Sequence, residues 1–100
     1  MALTLNIESG QVDAGDTKSL TLTPKDADGN ALSPVTLTAN LTAPEGGTDG
    51  TYVLGDFSAS SGSYSVQHTF DAAGLWEVEV EATDSAGNTE VERDTIRVVG

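Results

Sequence analysis

Apolar and polar residues alternate along most of this chain, and the alternation is clearest between residues 62 and 99. Trp76, Val78 and Val80 take every second position, and glutamates fill the positions between them. A period of two places successive side chains on opposite faces of a strand, whereas a helix needs a period near 3.6. Residues 84–88 are turn formers, and a second alternating run follows them. This stretch therefore predicts a β-hairpin.

Shorter alternating runs precede the hairpin, and turn-forming residues separate them. The runs predicted as strands are Leu3–Ile7, Ser19–Thr23, Val35–Leu41, Tyr52–Leu54, Phe57–Ala59, Tyr64–Phe70, Trp76–Ala82 and a last run that ends at Val99. Pro24 cannot donate a ladder hydrogen bond, so we expect it to end the second strand. About seven short strands and no helical stretch predict an all-β chain, folded as a single antiparallel β-sandwich with Greek-key connections over residues 1–100.

The last strand has a phase problem, because Ile96 and Val98 share one parity and Val91 has the other. A β-bulge near residues 93–94 would bring all three apolar side chains inward. Without a bulge, a hairpin centred on residues 84–88 would place Glu79 opposite Arg93. The sequence leaves both arrangements open.

Composition and charge exclude several classes of function. The chain of 100 residues has 16 acidic and 4 basic residues and a net charge of −12, which disfavours nucleic acid and anionic membrane surfaces as partners. It has no cysteine and one histidine, so disulfides, thiolate metal sites and multi-histidine metal sites are excluded. No apolar run approaches the roughly 18 residues of a membrane span. Acidic residues spread along the whole chain suggest either a salt-loving source or an ordinary acidic surface.

The segment Asp26-Ala27-Asp28-Gly29-Asn30 is the first candidate site. Oxygen ligands at alternate positions, here Asp26, Asp28 and Asn30, can converge on a calcium ion. A calcium loop of the EF-hand type would also need a glutamate at its twelfth position, which is missing. Because Asp, Gly and Asn are equally the residues that tight turns select, we interpret the segment as a turn, and we predict no metal or other cofactor.

Two rows of carboxylates form the second candidate. Glu77, Glu79 and Glu81 share one strand face, and the acidic residues of the last strand, Glu90, Glu92 and Asp94, are expected nearby. Paired carboxylates perform acid–base catalysis only in a cleft that separates their pKa values. On an open sheet they solubilise the surface and protect the edge, which is the interpretation we favour.

Four further features have structural explanations. His68 falls on an apolar strand face and is interpreted as a hydrogen-bonded structural group, while Trp76 is expected between the two sheets. Asn40 begins a glycosylation sequon in form, Asn40-Leu41-Thr42, and is interpreted as a chance match. The glycines at 46–50 lack the spacing of a phosphate loop and are interpreted as a linker-like loop. No arrangement supports catalysis or a small-molecule substrate, so we predict a protein that is not an enzyme.

Two segments resemble known repeats. His68 to Trp76, followed by the run Ala82-Thr83-Asp84-Ser85-Ala86-Gly87-Asn88, is similar to the second half of PKD-type and bacterial immunoglobulin-like repeats. Residues 24–33 look like the connection between the second and third strands of bacterial immunoglobulin-like modules. The signature run of PKD domains is present only in altered form at residues 52–57. The resemblance therefore implies the broader immunoglobulin-like class, whose matching positions specify a fold.

The expected function is that of a structural or interaction protein. The N-terminus shows no signal sequence, which means either that the chain is made without one or that Met1 begins an excised module. On the first interpretation the chain is a virion component of a tailed phage or haloarchaeal virus, in a head decoration or a tail or neck. On the alternative it is one module of a cell-surface adhesin or S-layer-like protein. The expected partners are other virion or surface proteins, or further copies of the chain, contacted through loops or through edge strands at residues 2–8 and 95–99.

Overall fold

The computed structural model describes residues 1–100 and confirms an all-β sandwich. The strands are β1 (Ala2–Ile7), β2 (Val12–Asp13), β3 (Asp16–Lys25), β4 (Thr36–Thr42), β5 (Gly50–Val53), β6 (Ser58–Ser60), β7 (Ser63–Phe70), β8 (Gly74–Thr83) and β9 (Thr89–Val99). The only helical segment is a 3₁₀ turn of three residues at Leu54–Asp56, and no helix has the length or apolar character to cross a membrane. The strands form a four-stranded sheet, β1-β3-β7-β6, and a five-stranded sheet, β2-β9-β8-β4-β5.

The N-terminal part of the chain belongs to both sheets. β1 pairs antiparallel with β3 in the four-stranded sheet, and β2 then pairs parallel with the end of β9 in the other. Val12 is buried in this second pairing. With Asp13 it forms a separate strand of two residues. The chain between β1 and β2 therefore ties the two sheets together along one side of the sandwich.

The core lies between the sheets and is built from the inward positions of both. Its buried hydrophobic side chains are Leu3, Val12, Leu20, Leu22, Leu37, Ala39, Leu41, Phe57, Val66, Phe70, Trp76, Val78, Val80, Ala82, Ile96 and Val98. Trp76 on β8 meets Phe70 on β7 edge to face, with ring centroids 5.1 Å apart. The Trp76 indole N–H donates to the carbonyl of Ala72 at 3.0 Å. Trp76 thus lies between the two sheets, as its sequence position predicts.

Pro24 does not end its strand, which corrects the expectation from sequence. β3 continues to Lys25, and Pro24 is buried opposite Leu3. Opposed residues in an antiparallel ladder alternate between hydrogen-bonded and non-hydrogen-bonded pairs. Because the N–H of Glu8 donates to the carbonyl of Ser19, that pair is hydrogen-bonded. Counting back along the ladder makes Leu3 and Pro24 a non-hydrogen-bonded pair. On its other side β3 pairs with β7 only as far as Leu22. The missing N–H of Pro24 therefore has no ladder partner to lose.

The unbulged alternative is the one observed, and the hairpin of β8 and β9 keeps one register throughout. It runs without interruption from Gly74 opposite Val98 to Thr83 opposite Thr89. Glu79 consequently lies opposite Arg93, and their side chains form an ion pair at 2.8 Å. Between the turn and Ile96, the positions of β9 that face the other sheet are acidic. An edge strand tolerates these residues because the other sheet covers only part of its inner face.

The region before β4 also differs from the sequence-based expectation. Val35 is 55% exposed, although the alternation had placed it on the inner face. It lies in the connection before Thr36, with its N–H donating to the carbonyl of Thr83 at 2.7 Å. The period of two applies only inside the ladder, and Pro34 keeps the preceding chain outside it.

The two ends of the chain lie at opposite poles of the sandwich, which measures 42 Å along its long axis. Ala2 pairs with Lys25, next to the turn at 26–30. Val99 lies at the other pole, where its carbonyl accepts a hydrogen bond from the N–H of Ala14 and Gly15 N–H donates to Phe70. We call these the N-terminal pole and the C-terminal pole.

Candidate functional site

The candidate calcium segment forms a turn that its own backbone closes. A carboxylate oxygen of Asp26 accepts the N–H groups of Asp28 and Asn30, each at 2.9 Å. The N–H of Asp26 also donates to the carbonyl of Asn30 at 2.9 Å. Gly29 has a φ of +83°, which glycine adopts without strain. The carboxylate of Asp26 therefore organises the turn.

The same turn occurs a second time at the N-terminal pole. A carboxylate oxygen of Asp84 accepts the N–H groups of Ala86 and Asn88, each at 2.9 Å, and Gly87 has a φ of +87°. The amide side chain of Asn88 donates to the other carboxylate oxygen at 3.0 Å, and hydrogen bonds to Asn88 hold the pKa of Asp84 below its usual range. Both turns share the pattern Asp-x-x-Gly-Asn, a repeat visible in the sequence that the search for single motifs missed.

Comparison of the two turns separates turn-forming residues from metal ligands. Asp28 in the first turn corresponds to Ala86 in the second, so the second carboxylate is not needed for the backbone geometry. No three or more histidine or carboxylate side chains in residues 1–100 gather in a group able to hold a metal ion. The structure supports the interpretation as a turn.

The two rows of carboxylates lie on opposite faces of the five-stranded sheet, which corrects the expectation that they are neighbours. Glu77, Glu79 and Glu81 face outward and lie opposite Thr95, Arg93 and Val91. The three carboxylates of β9 are on the same face of the sheet as the core residues. Asp94 lies opposite Val78, Glu92 opposite Val80 and Glu90 opposite Ala82. With the rows separated by the thickness of a sheet, no carboxylate pair across them can share a proton.

His68 lies in a buried aromatic cluster near the C-terminal pole. It is 7% exposed, and its Nδ1 is 2.7 Å from the Tyr52 hydroxyl. The rings of Phe70 and Trp76 meet the imidazole edge to face, at centroid distances of 5.0 and 5.3 Å. Nε2 has no hydrogen-bond partner. The group is structural, as its place on an apolar strand predicts.

Burial sets the protonation of this cluster. Desolvation lowers the pKa of His68 from 6.5, and the nearby Asp71 carboxylate opposes the shift. Desolvation also raises the pKa of Tyr52, with a further contribution from Asp56. Near pH 7 both side chains are neutral, and the hydrogen bond between them joins β5 to β7 across the two sheets.

Gly47 and Gly50 pack against this cluster, so their loop is more constrained than a linker. A Cβ added at Gly50 would lie 2.6 Å from Cε1 of His68. A Cβ added at Gly47 would lie 2.8 Å from Cβ of Ala43 and 3.2 Å from Trp76. The sequence shows glycine here but not the reason, because the partners come from other strands.

The outer face of the four-stranded sheet is a surface that the sequence analysis did not single out. Its hydroxyls pair across strands: Thr17 with Thr69 at 2.7 Å, Thr21 with Ser65 at 3.1 Å and Thr23 with Ser63 at 3.0 Å. We call it the hydroxyl face, and its side chains are Thr4, Asn6, Thr17, Ser19, Thr21, Thr23, Ser58, Ser60, Ser63, Ser65, Gln67 and Thr69. None of these side chains is charged, and charged residues of the same parity, Glu8 and Lys25, lie at the ends of β1 and β3. The alternation of Thr and Ser in three strands is visible in the sequence and could have indicated this face.

The segments expected to be edge strands differ in their pairing. β1 is an edge of the four-stranded sheet. The end of β9 is covered, because Val98 and Val99 pair with β2. Asn40 lies on the exposed outer face of β4, where its side-chain oxygen accepts a hydrogen bond from the Thr51 hydroxyl at 3.2 Å.

Two packed antiparallel sheets with crossovers from β3 to β4 and from β7 to β8 define an immunoglobulin-like β-sandwich. Within that class, a family model described as the PKD domain matches residues 2–97. The chain therefore belongs to the PKD domain family, a narrower assignment than the broad class that the sequence motifs implied. PKD domains are non-catalytic modules, although they also occur within enzymes.

Solved structures of similar fold come from different kinds of protein. Chitinase ChiW from Paenibacillus sp. str. FPU-7, described as a bacterial cell-surface-expressed multi-modular enzyme, is similar with a TM-score of 0.57 and 19% identity over 92% of this chain. The PKD domain of the human VPS10 domain-containing receptor SorCS2 has a TM-score of 0.57 and 18% identity, over 99% of this chain and 72% of that one. Murine CRIg has a TM-score of 0.50 and 14% identity, over 99% of this chain and 98% of that one. The chain spans 8% of the chitinase, and no curated protein matched.

Proposed function

We propose that this chain is a structural and interaction module of a multi-modular cell-surface protein, where it separates neighbouring modules and contacts other proteins. The observation that carries the proposal is the position of its two ends at opposite poles of a sandwich 42 Å long. A module linked through both ends adds its full length to an array. Membership of the PKD family and the fold shared with a cell-surface multi-modular enzyme support this choice.

The packing suits a spacer. Trp76, Phe70 and His68 join the two sheets near one pole, and the Asp-x-x-Gly-Asn turns close the strands at the other. The charged groups lie mainly on the five-stranded sheet and the poles, which leaves the centre of the hydroxyl face uncharged for a neutral neighbour. Nothing in this arrangement needs a cofactor or a small-molecule substrate.

The test is the shape of two copies fused in tandem. Two copies joined end to end without added linker should reach a maximum dimension of about 84 Å, twice the 42 Å of one copy, in small-angle X-ray scattering. A matched control joins the copies through a Gly/Ser linker of about ten residues, which behaves as a flexible coil and should broaden the distance distribution. A compact side-by-side pair in the direct fusion would contradict the spacer role.

The virion interpretation and the salt-loving source stay predictions from the sequence, and neither the fold nor the comparisons favour them. The source is tested by thermal unfolding in about 0.1 M and about 3 M KCl, since screening of the −12 charge should raise the Tm strongly in an adapted protein. A salt-independent Tm would count against it.

A further inference from the structure

β9 has an outer edge that is paired over only a small part of its length. β2 pairs with β9 at Val98 and Val99 and then ends. Upstream of Val98, β9 pairs only with β8, on its other side. A groove lies at the C-terminal part of this edge, between residues 94–97 of β9 and the segment from the end of β1 to the start of β2. Residues 89–93 of the edge lie outside this groove.

The register shows which backbone groups point out of this edge. The carbonyl of Val99 accepts the N–H of Ala14 on the outer side of β9. Both backbone groups of a strand residue point to one side, and the side alternates along the strand. Val91, Arg93 and Thr95 therefore direct their N–H and C=O groups outward. The N–H of Thr95 is taken by the carboxylate of Asp94 at 2.8 Å.

The charged side chains beside this edge are acidic on the inner face of β9, whereas its two arginines, Arg93 and Arg97, lie on the outer face. Glu90, Glu92 and Asp94 lie on the inner parity of β9, and none is within ion-pair distance of a lysine or arginine. The single ion pair of the molecule, between Glu79 and Arg93, lies on the outer face of the same sheet. A second copy of this edge would bring like charges together, which disfavours pairing of β9 with itself.

We propose that the outer edge of β9, over residues 89–97, accepts an added strand from a partner polypeptide with lysine or arginine at alternate positions. The partner strand would lie in line with β2 and bond to the backbone of Val91 and Arg93. Its basic side chains would meet Glu90, Glu92 and Asp94. Main-chain hydrogen bonds supply affinity in such strand addition, and alternate side chains supply specificity. This site is independent of the spacer role, because it uses a side of the sandwich and not a pole.

The test uses a nine-residue peptide of alternating lysine and threonine with the whole ¹⁵N-labelled chain. We expect chemical-shift changes and slowed hydrogen exchange at the amides of Val91 and Arg93. Two control peptides carry the same charge: one is N-methylated at alternate residues, and the other has its lysines in one block. Equal binding of either control would show nonspecific charge attraction, and shifts confined to the edges of β1 or β5 would place the strand elsewhere. Both outcomes overturn the proposal.

A matched pair of variants separates local from overall charge. Replacing Glu90 and Glu92 by glutamine should weaken peptide binding about twofold to fivefold for each carboxylate removed. The double variant E77Q/E81Q has the same net charge, and its substitutions lie on the other face of the same sheet, so it should bind within about twofold of the unmodified chain. Equal losses in the two double variants would contradict the assigned site.

Discussion

The hairpin of β8 and β9 has a closed half and an open half, although both halves share one register. In the closed half, near the C-terminal pole, Trp76 lies opposite Ile96 and both are buried. In the open half, Val80 is equally buried but lies opposite the exposed Glu92. β8 lies between β4 and β9 from Glu77 to Thr83, whereas β9 has a second partner, β2, only at Val98 and Val99. The difference shows that an inward-facing residue of a strand belongs to the core only where the second sheet covers it.

The largest effect is expected in the closed half, from Trp76→Ala. Removing a fully buried indole that also donates to Ala72 should lower the free energy of unfolding by about 3–5 kcal/mol. Urea unfolding followed by circular dichroism measures this loss. The neighbouring Leu75 is 53% exposed, and Leu75→Ala should stay within about 0.5 kcal/mol. Comparable losses of stability from both substitutions would contradict the burial of Trp76 in the closed half.

The next effect is expected at Gly50, where the loop meets the aromatic cluster. Gly50→Ala places a Cβ 2.6 Å from Cε1 of His68 and should cost about 1–3 kcal/mol through displacement of the ring. Gly55→Ala is the matched control, since an added Cβ there meets nothing within 4 Å. In the double variant with His68→Ala, the cost of the alanine at position 50 should fall. A fully additive double variant would place the strain elsewhere.

His68, in the aromatic cluster beside the closed half, should make the stability of the fold fall as the pH drops below 6.5. The folded pKa of His68 lies below the unfolded value of 6.5, so the unfolded chain binds more protons between the two values. Stability is fully present above pH 6.5 and falls as the pH drops toward the folded pKa, by up to about 1.4 kcal/mol per pH unit. Urea midpoints between about pH 7.5 and about pH 5 measure this loss.

His68→Gln is the control for this pH dependence, because glutamine retains a hydrogen-bonding side chain but does not titrate. Asp71 and Asp84 have pKa values lowered from 3.8 by hydrogen bonds, first of all from Thr48 and from Asn88 respectively. Their contributions to the stability of the fold are present above pH 3.8 and are lost only below it, which is outside the pH range in which His68 titrates. An unchanged pH dependence in His68→Gln would assign the loss to another group.

A smaller effect is expected at the turns of the N-terminal pole. Asp26→Ala removes the acceptor of two backbone N–H groups and should cost about 1–2 kcal/mol. Asp84→Ala should act in the same direction at the turn that closes the open half of the hairpin. Asp28→Ala is the control, because Ala86 occupies the equivalent position of the second turn, and it should change stability by less than about 0.5 kcal/mol. The measurement is the thermal midpoint of each variant.

The smallest effect is expected from the ion pair of the open half. Arg93 and Glu79 are 72% and 46% exposed, so Glu79→Gln should cost no more than about 0.5 kcal/mol, and the cost should fall with added salt. A double-mutant cycle with Arg93→Gln isolates the pair. A coupling well above 1 kcal/mol would mean that the outer face of the sheet is shielded from solvent.

Much of this fold was predictable from local pattern, and the errors share one cause. The alternation around Trp76 located the hairpin, and the Asp-x-x-Gly-Asn residues located its turn. The pattern could not choose between a bulged and an unbulged β9, because it does not show whether every apolar residue of β9 has to reach the core. Val91 lies on the outer face, opposite Glu81. Pro24 was misplaced for a related reason, since its effect on a strand depends on which ladder lies beside it.

The sequence alone determined the class of the fold, because alternation, turn residues and the absence of cysteine are local properties of the chain. Its composition also predicts, from the net charge of −12, that nucleic acid is a poor partner. Only the tertiary structure decided which carboxylates are neighbours, why Gly50 must be small, and which stretch of β9 is open. Those properties depend on contacts between strands far apart in the chain, and a period of two assigns a residue to a face but not to what covers that face.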